Sequence, residues 1–197
     1  HGGKQEGSKV IKLTSKNGLT IALSPTRGMN LLYADGFGVH MGWSSPVKEV
    51  VNPAFINLES RNGLGWLEGF NEMVVRCGYE WTGHPVTADG QLYTLHGKAG
   101  NTPASQVSVD VSEKAPYEIR IRGLVKESTF KKADLQTEME LRYIPGSNSF
   151  SLHDVLTNHA DYPHDYQIIY HSNFSKPILE EGARFITPLE SVSRSEE

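Results

Sequence analysis

The 197-residue chain has a single cysteine, Cys77. One thiol excludes an intrachain disulfide framework and any thiolate zinc cluster. Long hydrophobic runs are also missing, since no segment approaches the roughly 20 apolar residues that cross a membrane as a helix. Positive charge is scarce: 19 basic residues face 23 acidic ones, for a net charge of −4, and the lysines and arginines form no stripe. Counterion-release binding to nucleic acid has little to work with, so neither a nucleic-acid nor a membrane partner is expected. No G-x-x-x-x-G-K-S/T loop is present to cradle a phosphate. No H-x-H, H-x3-H or C-x2-C spacing marks a local metal site, and no cofactor is expected. The polar start, HGGKQEGSK, carries no apolar signal core. It reads as a mature end left by signal removal or as a cloning scar, which leaves cytoplasmic and exported locations both open.

What is abundant is turn chemistry. Nineteen glycines and ten prolines punctuate a chain that is 38% hydrophobic, long enough for one buried core spanning residues 1–197 and too broken for a helical bundle. Val10, Ile11 and Leu13 run into Lys16-Asn17-Gly18, which supplies the positive φ angles that reverse the chain into Leu19, Ile21 and Leu23. From Tyr117, apolar Ile119 and Ile121 alternate with Glu118, Arg120 and Arg122, the pattern of a sheet with one wet face. Leu135 to Tyr143 repeats the pattern, and Pro145-Gly146-Ser147-Asn148 turns the chain into Phe150, Leu152 and Val155. Tyr166 to Tyr170 is apolar on both sides and reads as a buried strand. Short strands with regular turns predict an antiparallel β-sandwich or barrel. Between about Gly28 and Pro103 the strand signal thins, apart from a helical turn expected within Asn52 to Leu58. This stretch holds all three tryptophans, Trp43, Trp66 and Trp81, and is too aromatic for a linker.

Most of the eight histidines read as surface or hydrogen-bonded groups. His96 and His171 differ. His96 follows the strand-like Leu92-Tyr93-Thr94-Leu95 and precedes Gly97, where backbone can approach closely. His171 ends the run Ile168-Ile169-Tyr170. The densest polar-aromatic cluster is GLGWLEGFNEMVVRCG, Gly63 to Gly78. Trp66 and Phe70 offer flat apolar faces there, while Glu68, Asn71, Glu72 and Arg76 offer donors and acceptors. Sugars call for that combination of aromatic platform and planar polar groups. Arg27 either pairs with one of these glutamates, the favoured reading, or binds ligand. Cys77 reads as a small buried hydrophobe.

Arg27-Gly28-Met29, GLGWLEGFNE (Gly63 to Glu72), Arg76-Cys77-Gly78, Leu95-His96-Gly97, Thr157-Asn158 and His171-Ser172-Asn173-Phe174 occur in a fixed order. Taken together they resemble the aldose 1-epimerase (galactose mutarotase-like) superfamily, and within it an uncharacterised bacterial aldose-epimerase-like branch. The likeness extends from about Ile21 to Pro188. It implies an antiparallel β-sandwich of the supersandwich type that binds a sugar in an open cleft and interconverts its anomers. By the same resemblance, Leu95-His96-Gly97 matches a sugar-holding motif and His171 the general acid at the ring oxygen. Arg76 matches a sugar-binding arginine more loosely. A histidine that titrates near neutrality suits such proton transfer.

The sequence departs from the superfamily at two places. Typical members read H-x-Y-F where this chain has His171-Ser172-Asn173-Phe174. Their general-base glutamate lies on a late strand, and the terminal Glu196 and Glu197 do not match it. The chain is thus expected to be a sandwich without its C-terminal third. Its open strand edge would then call for a second copy, another chain, a rearranged closure or further residues. Glu68 and Glu72 are the available substitute bases. A sugar-binding module without turnover, and a metal-assisted lyase or isomerase using His96 and His171, are the alternatives to an epimerase.

Overall fold

The structure is a computed structural model that describes residues 2–186. Twelve strands form: β1 (Ile11–Thr14), β2 (Thr20–Ser24), β3 (Asn30–Gly36), β4 (Val39–Met41), β5 (Val74–Tyr79), β6 (Val86–Ala88), β7 (Gln91–Tyr93), β8 (Ser105–Val111), β9 (Ile119–Thr129), β10 (Ala133–Tyr143), β11 (Phe150–Asn158) and β12 (Gln167–Ser172). One sheet runs β1-β2-β3-β5-β12 with β4 attached to β3, a second runs β11-β10-β9-β8, and β6 and β7 form a small ribbon. The strand pairs within each sheet are antiparallel. Ile21, Leu23 and Leu31 of the first sheet meet Ile121, Leu135, Met139 and Leu141 of the second in one apolar core. The fold is an antiparallel β-sandwich.

Local chemistry explains the regular half. The β1–β2 hairpin forms with Leu13 opposite Ile21, but the positive φ expected at Asn17-Gly18 is absent: the connection closes instead through the Ser15 N–H donating to the Leu19 carbonyl and the Gly18 N–H to the Ser15 carbonyl. Along β10 the odd positions Leu135, Thr137, Met139, Leu141 and Tyr143 are buried, as the alternation requires. The Tyr143 hydroxyl reaches out of the core to accept the Leu19 N–H at 2.8 Å and to donate to the Ser147 carbonyl at 3.2 Å. It thereby ties the first hairpin to the turn after β10. The helical turn expected within Asn52 to Leu58 is a 3₁₀ turn over Pro53–Phe55, and the Asn52 side chain accepts the Ala54 N–H.

Two expectations are corrected. The middle segment is not poor in strands, because β3, β4, β5, β6 and β7 all fall within it. β5 is buried on both faces from Val75 to Tyr79 and so shows no polar-apolar alternation. β12 was expected to be buried, yet it is the edge of its sheet, with Ile169 and Tyr170 exposed at 42% and 47%. Apolar residues on both sides of a strand fail to distinguish a covered strand from a bare edge. β11 is likewise the edge of the second sheet, so each sheet carries a free edge among the described residues.

Candidate functional site

β5 is the frame of the site. Its Val75 and Cys77 pack with Trp66 and Leu95 in a second apolar cluster, against which Leu58, Leu64 and Phe70 rest. Burial, with Glu72 adding to it, pushes the Cys77 thiol up to about 12, so it behaves as the hydrophobe the sequence suggested. Trp66 rides on the 3₁₀ turn Gly65–Gly69 and is 1% exposed.

His171 joins this face through strand register. It stands opposite Val75 in the β12–β5 ladder, and directly opposed residues share a face. His96 arrives from the other side, on backbone clamped to β5. The Gly78 N–H donates to the His96 carbonyl at 3.0 Å, and the Lys98 N–H returns a bond to the Gly78 carbonyl at 3.0 Å. His96 itself has φ 58°, a left-handed conformation that a β-carbon disfavours. Gly97 follows at φ +69°, and a Cβ there would lie 2.3 Å from the Trp81 carbonyl oxygen and 2.6 Å from that of Gly78. Only glycine allows that contact.

The result is a ring cluster. The His96 and His171 centroids are 5.3 Å apart, edge to face. Trp66 meets His96 at 4.7 Å, Phe70 meets His171 at 5.3 Å, and Trp66 and Phe70 touch at 4.5 Å. Trp43 extends the cluster through Phe70 at 4.7 Å and donates its Nε1–H to the Glu72 carbonyl. Both histidine Nδ1 atoms and the Trp66 Nε1 are buried without a hydrogen-bond partner. Buried polar atoms are rarely left so, and these three belong to neighbouring rings of one cluster. Burial lowers the His96 pKa to about 4, with His171 and His84 adding to the shift, so His96 is neutral near pH 7.

The other sequence candidates go elsewhere. Arg27 is fully enclosed: its Nε donates to Glu72 at 2.7 Å, and its Nη1 to the Val51 carbonyl and Asn101. The Glu72 carboxylate, also fully enclosed, further accepts from Asn30 and the Asn71 N–H. This is the pairing reading of Arg27. Arg76 lies on the opposite face of β5, where Nε and Nη2 grip Asp154 at 2.5 and 2.9 Å and Nη1 donates to the Met29 carbonyl. Tyr170, opposite Arg76 in the ladder, donates to the same Asp154 at 2.9 Å. Glu68 is held by Ser60, Lys4 and Arg61, and the Asn71 side chain donates to the Glu49 carbonyl. His96, His171 and Trp66 are therefore brought together, whereas Arg27, Arg76, Glu68 and Glu72 are engaged away from the imidazoles. Sequence reasoning missed Trp43 in the cluster and the whole Asp154–Arg76–Tyr170 network, whose members lie 78 and 16 residues apart. Among the described residues no three His, Cys, Asp or Glu side chains gather as a metal-ligand set. Glu196 and Glu197 lie outside the described residues.

A protein-family model described as a domain of unknown function, DUF4432, matches residues 5–197. The chain belongs to the DUF4432 family. This DUF4432 chain is also 85% identical to a crystal structure described as that of a "putative aldose 1-epimerase" from Klebsiella pneumoniae subsp. pneumoniae, with a TM-score of 0.94. That likeness places its fold in the aldose 1-epimerase-like superfamily. The match covers 95% of the DUF4432 chain and 49% of the Klebsiella chain, so it spans about half the length of that structure. The motifs alone set the shortfall at a third. No curated protein matches the DUF4432 chain. No helix among the described residues is long and apolar enough to cross a membrane.

Proposed function

We propose that the His96–His171 pair, walled by Trp66 and Phe70, holds a sugar and that His171 moves the proton in anomer interconversion of the aldose 1-epimerase type. The observation that carries this reading is the pair of buried, unpartnered Nδ1 atoms inside a ring of aromatic faces. The rings suit the C–H faces of a pyranose, and the free imidazole nitrogens suit its oxygens. Support also comes from the 85% identical Klebsiella chain and the activity named for it.

The two histidines divide the work. His96, with its pKa lowered to about 4, stays neutral and serves as a hydrogen-bonding group. His171 delivers a proton to the ring oxygen while the anomeric hydroxyl loses one. The bond from C1 to the ring oxygen breaks, C1 becomes a carbonyl, the C1–C2 bond rotates, and reclosure reverses both transfers. The base that takes the anomeric proton is not Glu72, whose carboxylate is enclosed and bound to Arg27. A glutamate supplied by the portion of the fold that the Klebsiella chain has and this one does not span would complete the site.

One observation favours a second reading. Both substitute bases are occupied, Glu72 by Arg27 and Glu68 by Lys4 and Arg61. A cleft that binds sugar without turning it over matches that arrangement. Polarimetry on glucose and galactose, with saturation-transfer NMR for binding, separates the two. Mutarotation above the buffer rate that disappears in His171→Ala supports the epimerase. Bound sugar at the buffer rate leaves the binding module, and absence of both rate and binding overturns the sugar reading altogether.

A further inference from the structure

His171 sits one residue from the end of its ladder, which closes with Ser172 opposite Val74, on a strand paired along one side only among the described residues. Strand ends of this kind fray readily. The His171 Nδ1 is buried without a hydrogen-bond partner, so the ring takes its place from its main chain and from Trp66, Phe70 and His96 around it. Asn173 prolongs the hold on that main chain. Its N–H donates to the Met73 carbonyl at 2.7 Å. Its side-chain Nδ2 donates twice, to the Glu72 carbonyl and to the His171 carbonyl, each at 3.1 Å. A carboxamide has two N–H donors, and here one nitrogen serves the imidazole-bearing residue and the strand beside it together. Two residues on, the Ser175 N–H donates to the carbonyl of Gly42, next to Trp43, at 2.9 Å.

The far end of this link is fixed. Glu72 is fully enclosed, and its carboxylate is bound by Arg27 at 2.7 Å, a buried ion pair that is costly to break. The Glu72 carbonyl also accepts the Trp43 Nε1–H at 3.0 Å, so one carbonyl holds both Asn173 and the indole that backs Phe70. Phe70 in turn packs edge to face on His171. The Asn173 amide therefore relays the rigidity of the Arg27–Glu72 pair to the imidazole, and it does so with donors. An aspartate of the same shape has no N–H to give and would set a carboxylate against two carbonyl oxygens. Placement matters because a shift of about 1 Å in a reacting group can cost on the order of a hundredfold in rate.

We propose that Asn173 is a positioning residue for His171, its side-chain amide holding the imidazole in place by tying the end of β12 to the Glu72 main chain. Its effect on turnover rests on the reading of His171 as the proton carrier. The test compares Asn173→Ala and the isosteric Asn173→Asp with the unmodified chain, by NMR of the histidine rings without sugar and by polarimetry. In both variants the His171 ring signals should shift or broaden while those of the distant His153 and His159 stay. The kcat for mutarotation should fall about tenfold or more with KM within about twofold, since the amide orients the proton carrier and touches no sugar. Tyr170→Phe, which alters the opposite face of β12, should leave the His171 signals in place. Unmoved His171 signals in Asn173→Asp, or an unchanged kcat, overturn the positioning role. Absence of turnover in the unmodified chain overturns the proton-carrier reading instead, and the ring signals alone then decide whether Asn173 holds the imidazole. Where neither variant folds, solvent exchange of the Asn173 side-chain N–H protons in the unmodified chain decides it. Exchange slower than at the exposed Asn17 supports the two bonds, and equal exchange overturns them.

Discussion

Acidification from pH 6.5 towards 4 protonates His96 in the unfolded chain before it protonates it in the native one. The native pKa is held down at about 4 by burial and by the neighbouring His171 and His84, against an ordinary 6.5. A native pKa below the unfolded one means that the folded state binds fewer protons in this window, so stability is full above 6.5 and is lost as pH falls. The gap corresponds to about 3 kcal/mol at about 1.4 kcal/mol per pH unit. The ring is only half-buried, and solvent screening trims this to about 1–2 kcal/mol. Urea unfolding at pH 7.5 and 4.5, in the unmodified chain and in His96→Gln, isolates the contribution, because every other titrating group cancels in the difference. The variant should lose about 1–2 kcal/mol less on acidification. Histidine NMR titration reads the same quantity directly. A His96 resonance titrating near 6.5, or identical acid losses in the two proteins, would refute the assignment of His96 as the neutral member of the pair.

Two further perturbations follow from the packing. Asp154→Ala strands the Arg76 guanidinium, which is 2% exposed and keeps only the Met29 carbonyl, so urea unfolding should show a loss of about 3–5 kcal/mol. Tyr170→Phe removes one bond to the same carboxylate from an exposed ring and should cost far less. Tyr143→Phe leaves the Leu19 N–H buried without its acceptor and should lower stability by about 1–3 kcal/mol. Faster amide hydrogen exchange at Leu19 would confirm the cause.

What was legible in the sequence follows the range of the interactions involved. The β1–β2 hairpin and the β9–β10 pair follow from local signals, a turn at Asn17-Gly18 and period-two alternation, and both pairs form, although the first turn does so without the positive φ expected of it. β5 left no such trace, because its two faces are claimed by different cores, Val75 and Cys77 by the ring cluster and Val74 by the sandwich interior. His96 and His171 were legible from their positions at strand ends and their motifs. Arg76 was not, since a guanidinium that binds a ligand and one that binds a buried Asp154 look alike in sequence, and the aspartate lies on β11. Arg27 faced the same ambiguity, resolved by Glu72. Trp81 and Tyr93 read merely as aromatic content until Gly97 and its neighbours brought them to one cavity.

The register between β12 and β5 constrains how related sequences can vary. Among the described residues β12 pairs with β5 alone, and His171 and Tyr170 occupy adjacent rungs that face opposite sides. A slip by one rung would carry the imidazole into the layer between the sheets and swing a phenol out among Trp66 and Phe70. Insertions and deletions are therefore tolerable in the exposed connection of residues 159–166 but not between Gln167 and Ser172, where a single added residue would exchange the imidazole for a phenol. Length conservation in those six positions, more than conservation of their apolar character, is the signature that would distinguish relatives able to present this histidine.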